Sequence, residues 1–528
     1  MAASPGGRWA TIGLLAAATF LVFMPALTGD FVYDSRMQVL TDPFLHDAAN
    51  WPAVLSGRVL GMDVLDFNRP AMLASLMLDA AIWGKNPFGY HLTSVLLHVL
   101  NVVLVWLLLD RLKAPGADRG LLTPAVIGAL LFALHPIVTE TVCEPSYRED
   151  LLVATFSLAA LVIALGRSPR ESPEAEAGPA DGAVWRAAVC VGCALFAIAS
   201  KESGVALPPL LLIAWAIFGR KGPRRFWGLV IGGSTLVVVA FLVARFLLEP
   251  DDSRIFGKPI PLGGSLAAAL AIQPRILALD LQLILWPVNQ SADYQLSSLD
   301  HLPLSRSLLI MAILVVALLW GARRDRRIVL AAAVILFTLL PVANLWPIFQ
   351  PAADRYLYLP MVGVAIIVAS ALDAPWWALR SRERPWALAA TLAVVAALAV
   401  ASIRREAVWH DPVALWQDTL GKEPRSFPAA WGLSEALFDA GKPAEAERAA
   451  RAAVQLSGGE DGGALATLAV IVAERGRMAE ARGYLARALA ADPLLADPDE
   501  RVATLSMERP WAERLKRLLA DRQPGASP

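Results

Sequence analysis

The 528-residue chain is predicted to be all-α: a polytopic membrane protein of about 11 transmembrane helices with a C-terminal tetratricopeptide-like helical repeat domain. Three observations predict this. The chain is 56% hydrophobic and 18% charged, against about 45–50% and about 25% for soluble domains, and its mean hydropathy is +0.52. Its apolar residues gather into long runs rather than alternating. From about residue 404 the composition turns to Ala, Glu, Arg and Leu at helical spacing.

A hydrocarbon core of about 30 Å requires about 20 apolar residues in a helix. Eleven runs approach that length with few or no charges, near 9–28, 90–110, 121–142, 150–166, 185–200, 204–219, 226–248, 303–322, 328–346, 357–372 and 386–403. The first is longer than the roughly 7–15 apolar residues of a signal peptide and ends in "MPALTGD" without a cleavage pattern, so it reads as a span. Two long loops, 29–89 and 249–302, each hold a further apolar segment. "RPAMLASLMLDAAIWG" and "SLAAALAIQPRILALDLQLILWP" are expected to lie in or dip into the interface, the second because Pro274, Arg275 and Asp280 interrupt it.

Orientation follows from loop charge, since Lys and Arg accumulate on the cytoplasmic side. With the N-terminus inside, the connections "DRLKAPGADRG", "GRSPRESPEAEAGPADGAVWR", "GRKGPRR", "GARRDRR" and "LRSRERP" are all cytoplasmic and all cationic. The C-terminal domain, 404–528, then falls outside with the two long loops, leaving 1–403 as the membrane domain. Two segments of the C-terminal domain align: Gly441 with Gly476, Ala444-Glu445-Ala446 with Ala479-Glu480-Ala481, and Ala453 with Ala488. A partial unit, "DPVALWQDTLGKEPRSF", precedes them.

The composition excludes several classes. Formal net charge is zero, and no basic run carries interleaved aromatics, so nucleic acid is not an expected partner. Three cysteines are too few for a disulfide framework, and Cys190 and Cys193 read as small packing residues of a span. Six histidines show no metal-binding spacing.

The isolated charges fall at the outer ends of the spans. Asp34 follows the first, Glu140 ends the third, Arg148 and Glu149 open the fourth, Lys201 and Glu202 separate the fifth and sixth, and Arg355 opens the tenth. Ionisable groups in lipid cost at least about 2.5–3.5 kcal/mol, so they usually face a cavity or a partner. Arg and Lys can hold a phosphate, and a carboxylate beside them can take a proton from an attacking hydroxyl. This suits transfer of a sugar from a lipid phosphate, with cations binding the leaving charge and one base allowing direct inversion. Arg69, His135, Asp293, Tyr294 and Tyr356 are further site-lining candidates. Structural alternatives stay open: Asp34 as a helix-end residue, Lys201 and Glu202 as a mutual ion pair, Arg355 as a helix anchor and His135 as a helix-end contact.

These pieces, in order, resemble the transmembrane and tetratricopeptide repeat-containing (TMTC) O-mannosyltransferases within the GT-C glycosyltransferases. The resemblance rests on "FVYDSR", "NRPAMLASLMLDAAIWGKNPFGYHLTSVLLHVLNVVLVWLL", "LFALHPIVTETV" with "YREDLL", "ASKESG", "SADY", "DRYLYLP" and "WHDPVALWQDTLGKEPRS". It implies a GT-C fold, a polyprenyl-phosphate-linked mannose donor and Ser or Thr hydroxyls of exported proteins as acceptors, reached with the help of the repeats; a glycan acceptor stays open beside a protein one, and membrane lipid is the remaining partner. It also implies Asp34 as the base and Arg148, Lys201 and Arg355 as donor-phosphate ligands. Where the family often has a second acidic residue this chain has Ser35, which weakens a divalent-metal proposal and leaves no cofactor firmly implied. The alternatives are a non-catalytic membrane-anchored repeat scaffold and, ranked last, a transporter. Composition favours a bacterial inner membrane, with the repeats periplasmic.

Overall fold

The computed structural model describes residues 5–113, 122–166, 180–219, 223–248, 261–345, 348, 350–373, 384–503 and 507–521. Most of the cationic connections that set the expected orientation lie outside these residues, in 114–121, 167–179, 220–222 and 374–383. Among the described residues all regular structure is helical. In chain order the membrane part comprises α1 (Pro5–Phe23), the short α2 (Tyr33–Ser35) and α3 (Trp51–Leu55), α4 (Pro70–Trp83), α5 (Pro87–Leu112), α6 (Pro124–Leu134), α7 (Thr139–Cys143), α8 (Arg148–Leu165), α9 (Ala180–Ser200), α10 (Leu207–Ala214), α11 (Arg224–Leu248), α12 (Leu266–Leu285), α13 (Leu304–Arg324), α14 (Arg327–Leu339), α15 (Pro360–Leu372) and α16 (Arg384–Val408). The remainder comprises α17 (Pro412–Lys422), α18 (Phe427–Asp439), α19 (Pro443–Leu456), α20 (Gly462–Glu474), α21 (Met478–Ala491), α22 (Pro498–Ala503) and α23 (Arg509–Ala520).

Among the described residues eight helices are long and apolar enough to cross a membrane, and nine if α6 and α7 form one bent span. The 49° bend between them falls at His135-Pro136, where proline lacks an N–H and holds His135 in extended backbone. The chain is a multi-pass membrane protein. The count differs from eleven because α14 and α15 have only 13 residues each and the first turn of α8 carries Arg148, Glu149 and Asp150. Only 6% of the apolar stretch of α13 and of α16 is buried, which turns both helices toward lipid.

Ion pairs and backbone contacts sort the helix ends onto two faces. At one end Arg8 pairs with Asp110 at 3.2 Å and Arg327 with Asp373, joining α1 to α5 and α14 to the end of α15. At the other end the Asp30 N–H donates to the His410 carbonyl at 2.9 Å, and Arg245 pairs with Glu202 at 3.0 Å. By length and composition α12 also qualifies as a span. Its contacts nevertheless lie at the second face: Asn344 donates to Gln273 at 3.4 Å, Arg275 to the Leu302 carbonyl at 2.9 Å, and His135 meets the Ile284 carbonyl at 3.0 Å.

α16 runs past residue 403 to Val408, and the repeats follow from Pro412. α18 packs on α19 and α20 on α21, each pair turning at a left-handed glycine, Gly441 (φ 73°) and Gly476 (φ 79°). Small residues let the indoles sit close: a Cβ on Gly432 would run into the Trp416 ring, and one on Gly463 would lie 2.7 Å from Trp431. The concave face of these pairs turns toward the first loop of the membrane domain, where Tyr33 and Asp34 lie.

Candidate active site at one end of the bundle

Asp34 sits in α2, a single turn that leaves α1 by way of Tyr33, whose φ of 47° is a conformation rarely adopted by a bulky residue. Such backbone persists only where surrounding contacts over-determine it. The Tyr33 ring lies 5.0 Å from Trp416 and 6.3 Å from Tyr147, centre to centre, and its hydroxyl accepts from Gln350 at 2.7 Å. Asp34 accepts from the Tyr147 hydroxyl at 3.1 Å. The carboxylate is open to a cavity yet ringed by protein, and the lost water raises its pKa; Arg355 and the Tyr147 hydrogen bond oppose this, and Glu149 and Glu140 add to it.

From Asp34 a continuous chain of charged and aromatic groups crosses the site. The Arg355 guanidinium lies 4.0 Å from the centre of the Tyr147 ring and 5.0 Å from that of Tyr356. It donates to Glu140 at 2.6 Å and to Gln350. Lys201 also stands 5.8 Å from the centre of the Tyr356 ring. It pairs with Asp150 and lies 3.6 Å from Glu149. Glu149 also accepts from Arg69 at 3.3 Å, while its second oxygen, Oε2, is buried without a partner. Arg69 then contacts Asp66 at 2.8 Å and Glu202 at 3.4 Å, and Glu202 is shared with Arg245. Asp66, itself at a φ of 52°, is pushed up to about 6 by burial against the pull of Arg69.

The structure thus brings together Asp34, Arg69, Glu140, Glu149, Lys201, Glu202, Arg355 and Tyr356. Arg148 departs from its expected place. It is fully buried, paired with Asp79 at 2.6 Å, and donates to the Tyr90 carbonyl at 2.9 Å and to Ser75. Consecutive residues on a helix point about 100° apart, so on the first turn of α8 Glu149 and Asp150 join the site while Arg148 points into the α4–α5 contact. His135 is a helix-end contact: its ring caps the Ile137 N–H at 3.2 Å and binds Ile284. Tyr294 donates to Asp354 at 2.6 Å, and Asp293 accepts from Ser426 at 2.6 Å, so this pair ties the site wall to the repeats.

Sequence reasoning missed Tyr33, Asp66, Tyr147, Asp150, Arg245 and Gln350. Tyr147 and Asp150 flank the chosen residues in "YRED", and helical phase could have found them. Arg245 reads in sequence as an ordinary helix-end cation. Ser35 is buried, and its hydroxyl and N–H both donate to Glu144, the latter at 2.8 Å. Among the described residues no group of three His, Cys, Asp or Glu side chains is set to hold a metal ion.

A cavity of about 590 Å³ lies between Asp34 and the concave face of the repeats. Trp416, Trp431 and Trp511 line it, with Arg36 and Glu435. Arg36 grips Glu508 with two bonds of 2.8 Å and Asp439 with one of 3.0 Å, fastening the turn after Asp34 to the repeats.

No family model matches the chain. It is 22% identical over 452 residues to the Caenorhabditis elegans protein O-mannosyl-transferase F38B6.6, covering 82% of this chain and 61% of that protein. It is also 22% identical to the human protein O-mannosyl-transferase TMTC1, covering 84% and 54%. Among solved structures, ArnT from Cupriavidus metallidurans bound to undecaprenyl phosphate aligns with a TM-score of 0.42 at 14% identity, covering 94% of this chain and 80% of that one. The chain spans 54–61% of the length of these two curated relatives. Across four fifths of its own length, it is similar to the TMTC O-mannosyltransferases.

Proposed function

We propose that the chain is an integral-membrane inverting glycosyltransferase of the GT-C type that moves a sugar, mannose by likeness to its relatives' names, from a polyprenyl phosphate to a Ser or Thr hydroxyl of exported proteins. Residues 1–403 form the catalytic domain and 404–528 the acceptor-facing repeats. The site end is non-cytoplasmic, the periplasmic face of a bacterial inner membrane. The arginines Arg323, Arg324, Arg326 and Arg327 gathered at the opposite end support this orientation.

The observation that carries the reading is Asp34. Its carboxylate, held by Tyr147 and without an ion-pair partner among the described residues, opens onto a cavity large enough for an acceptor and stands one ring away from Arg355. Asp34 takes the proton from the acceptor hydroxyl as its oxygen bonds to the anomeric carbon. The bond from that carbon to the phosphate oxygen breaks, and its electron pair leaves with polyprenyl phosphate. Arg355 and Lys201, bridged by Tyr356, bind the growing charge in a water-poor site. Arg148 has no part in donor binding.

The test is release of polyprenyl phosphate from purified protein given polyprenyl-phosphate mannose and a Ser/Thr peptide. Turnover supports the reading, and no turnover with any polyprenyl-phosphate sugar refutes it. A repeat scaffold would use the tryptophan-lined cavity but leaves the charged chain from Asp34 to Arg245 without a role.

A further inference from the structure

Beyond Asp34, the cavity between Asp34 and the repeats carries an excess of carboxylates that the proposed reaction does not use. Its wall carries five carboxylates, Asp34, Glu435, Asp461, Asp492 and Glu508, and two cations, Arg36 and Arg501. Both cations are already paired within the same wall, Arg36 with Glu508 and Arg501 with Asp492. Asp461 caps α20 by accepting from the Ala464 N–H at 2.8 Å. Apart from Asp34, this leaves Glu435, which accepts from the Thr467 hydroxyl at 3.4 Å and feels Arg36 at a distance, while Arg36 itself is engaged by Glu508 and Asp439.

Glu435 does not stand alone. It lies one helical turn from Trp431 on α18, so both face the cavity, and Trp416 and Trp511 complete the aromatic lining. The Arg514 guanidinium already stacks 4.9 Å from the Trp511 ring centre, so an indole of this wall does accept a cation. Trp511 is itself only 3% exposed, so the aromatic floor of the cavity is held rigidly in the packing of α18 and α23. Across the site the formal charge is also negative, and a bound donor phosphate makes it more so.

From this we propose that the cavity selects acceptor segments that are extended polypeptide and basic, seating a Lys or Arg side chain between the tryptophans and Glu435 while a neighbouring Ser or Thr hydroxyl reaches Asp34. The proposal rests on the glycosyltransfer reading and deepens it by naming the acceptor class. Burial and the neighbouring Glu508 favour the protonated form of the free Glu435 carboxyl, so seating a cation there releases its proton; the carboxylate so formed and the indoles recognise the cation by charge and by ring quadrupole, and a Glu beside the hydroxyl would be repelled by the same wall.

The experiment uses the full chain in detergent and three Ser/Thr peptides differing only in flanking Lys/Arg, Gln or Glu, with a mannooligosaccharide as a fourth probe. Binding is read by tryptophan fluorescence without donor, and turnover separately with donor. The basic peptide is expected to bind about tenfold tighter than the Gln peptide, and the Glu peptide weaker than either. Glu435→Gln, checked for an intact thermal transition, should bring the basic peptide to within about twofold of the neutral one. If Glu435→Gln does not fold, the wild-type ranking of the three peptides decides alone. Equal binding of basic and neutral peptides, a preference that survives Glu435→Gln, or tighter binding of the oligosaccharide than of any peptide overturns the proposal. Absence of turnover with every peptide overturns the glycosyltransfer reading instead, since the binding assay contains no donor.

Discussion

Replacing Asp34 by Asn tests the chemistry with little disturbance of the fold. The Asn carbonyl oxygen can still accept the Tyr147 hydroxyl, which lies 3.1 Å from Asp34, so the packing of α2 against the start of α8 is kept. The change also removes a negative charge that sits among Glu140 and Glu149, which does not weaken the folded state. On the proposed mechanism, what is lost is the proton acceptor. A positioned general base is worth about 100- to 10,000-fold in rate, or about 3–5 kcal/mol at about 1.36 kcal/mol per decade. The assay is single-turnover release of polyprenyl phosphate with saturating donor and peptide, so that binding does not mask the chemical step. Asp34→Asn should lose at least 100-fold in that rate with an unchanged thermal midpoint, on the basis of the same range. A variant within about threefold of wild type would show that Asp34 is a helix-end residue, because a base cannot be removed at so small a penalty.

Arg355→Gln removes the cation that holds the Asp34 pKa down, so the acid limb of the kcat/KM profile should move to higher pH; an unmoved limb would separate Arg355 from the base. Arg148→Met leaves buried Asp79 without its ion-pair partner, and should destabilise the protein by about 3–5 kcal/mol. The pair Arg148→Met with Asp79→Leu should recover most of that loss, and normal stability with weakened donor binding in Arg148→Met would restore Arg148 to the donor site. Burial, with Glu508 and Asp439 adding and Arg36 and the Thr467 hydroxyl opposing, pushes the Glu435 carboxyl up to about 8. A carboxyl raised on folding favours the folded state fully below its unfolded value and loses that advantage as pH rises through the folded one. The thermal midpoint of Glu435→Gln relative to wild type should therefore climb from pH 4.5 to about 8, and a flat difference would contradict it.

Apolar run length and composition determined by themselves that this chain is a helical membrane protein ending in helical repeats, because the helix period and hydrocarbon thickness act locally. They also placed the charges at one end of the bundle, since alternation of direction makes every second loop share a face. What local pattern does not carry is rotation about each helix axis. Arg148, Glu149 and Asp150 are equivalent in sequence position, yet neighbours on a helix point about 100° apart; only tertiary packing decided that Arg148 meets Asp79 while the other two meet Arg69 and Lys201. The same holds for the cavity. The repeats were readable, but their concave face meets Asp34 because Tyr33 is wedged beside Trp416 and Arg36 is clamped to Glu508, contacts that join residues roughly 380 and 470 positions apart.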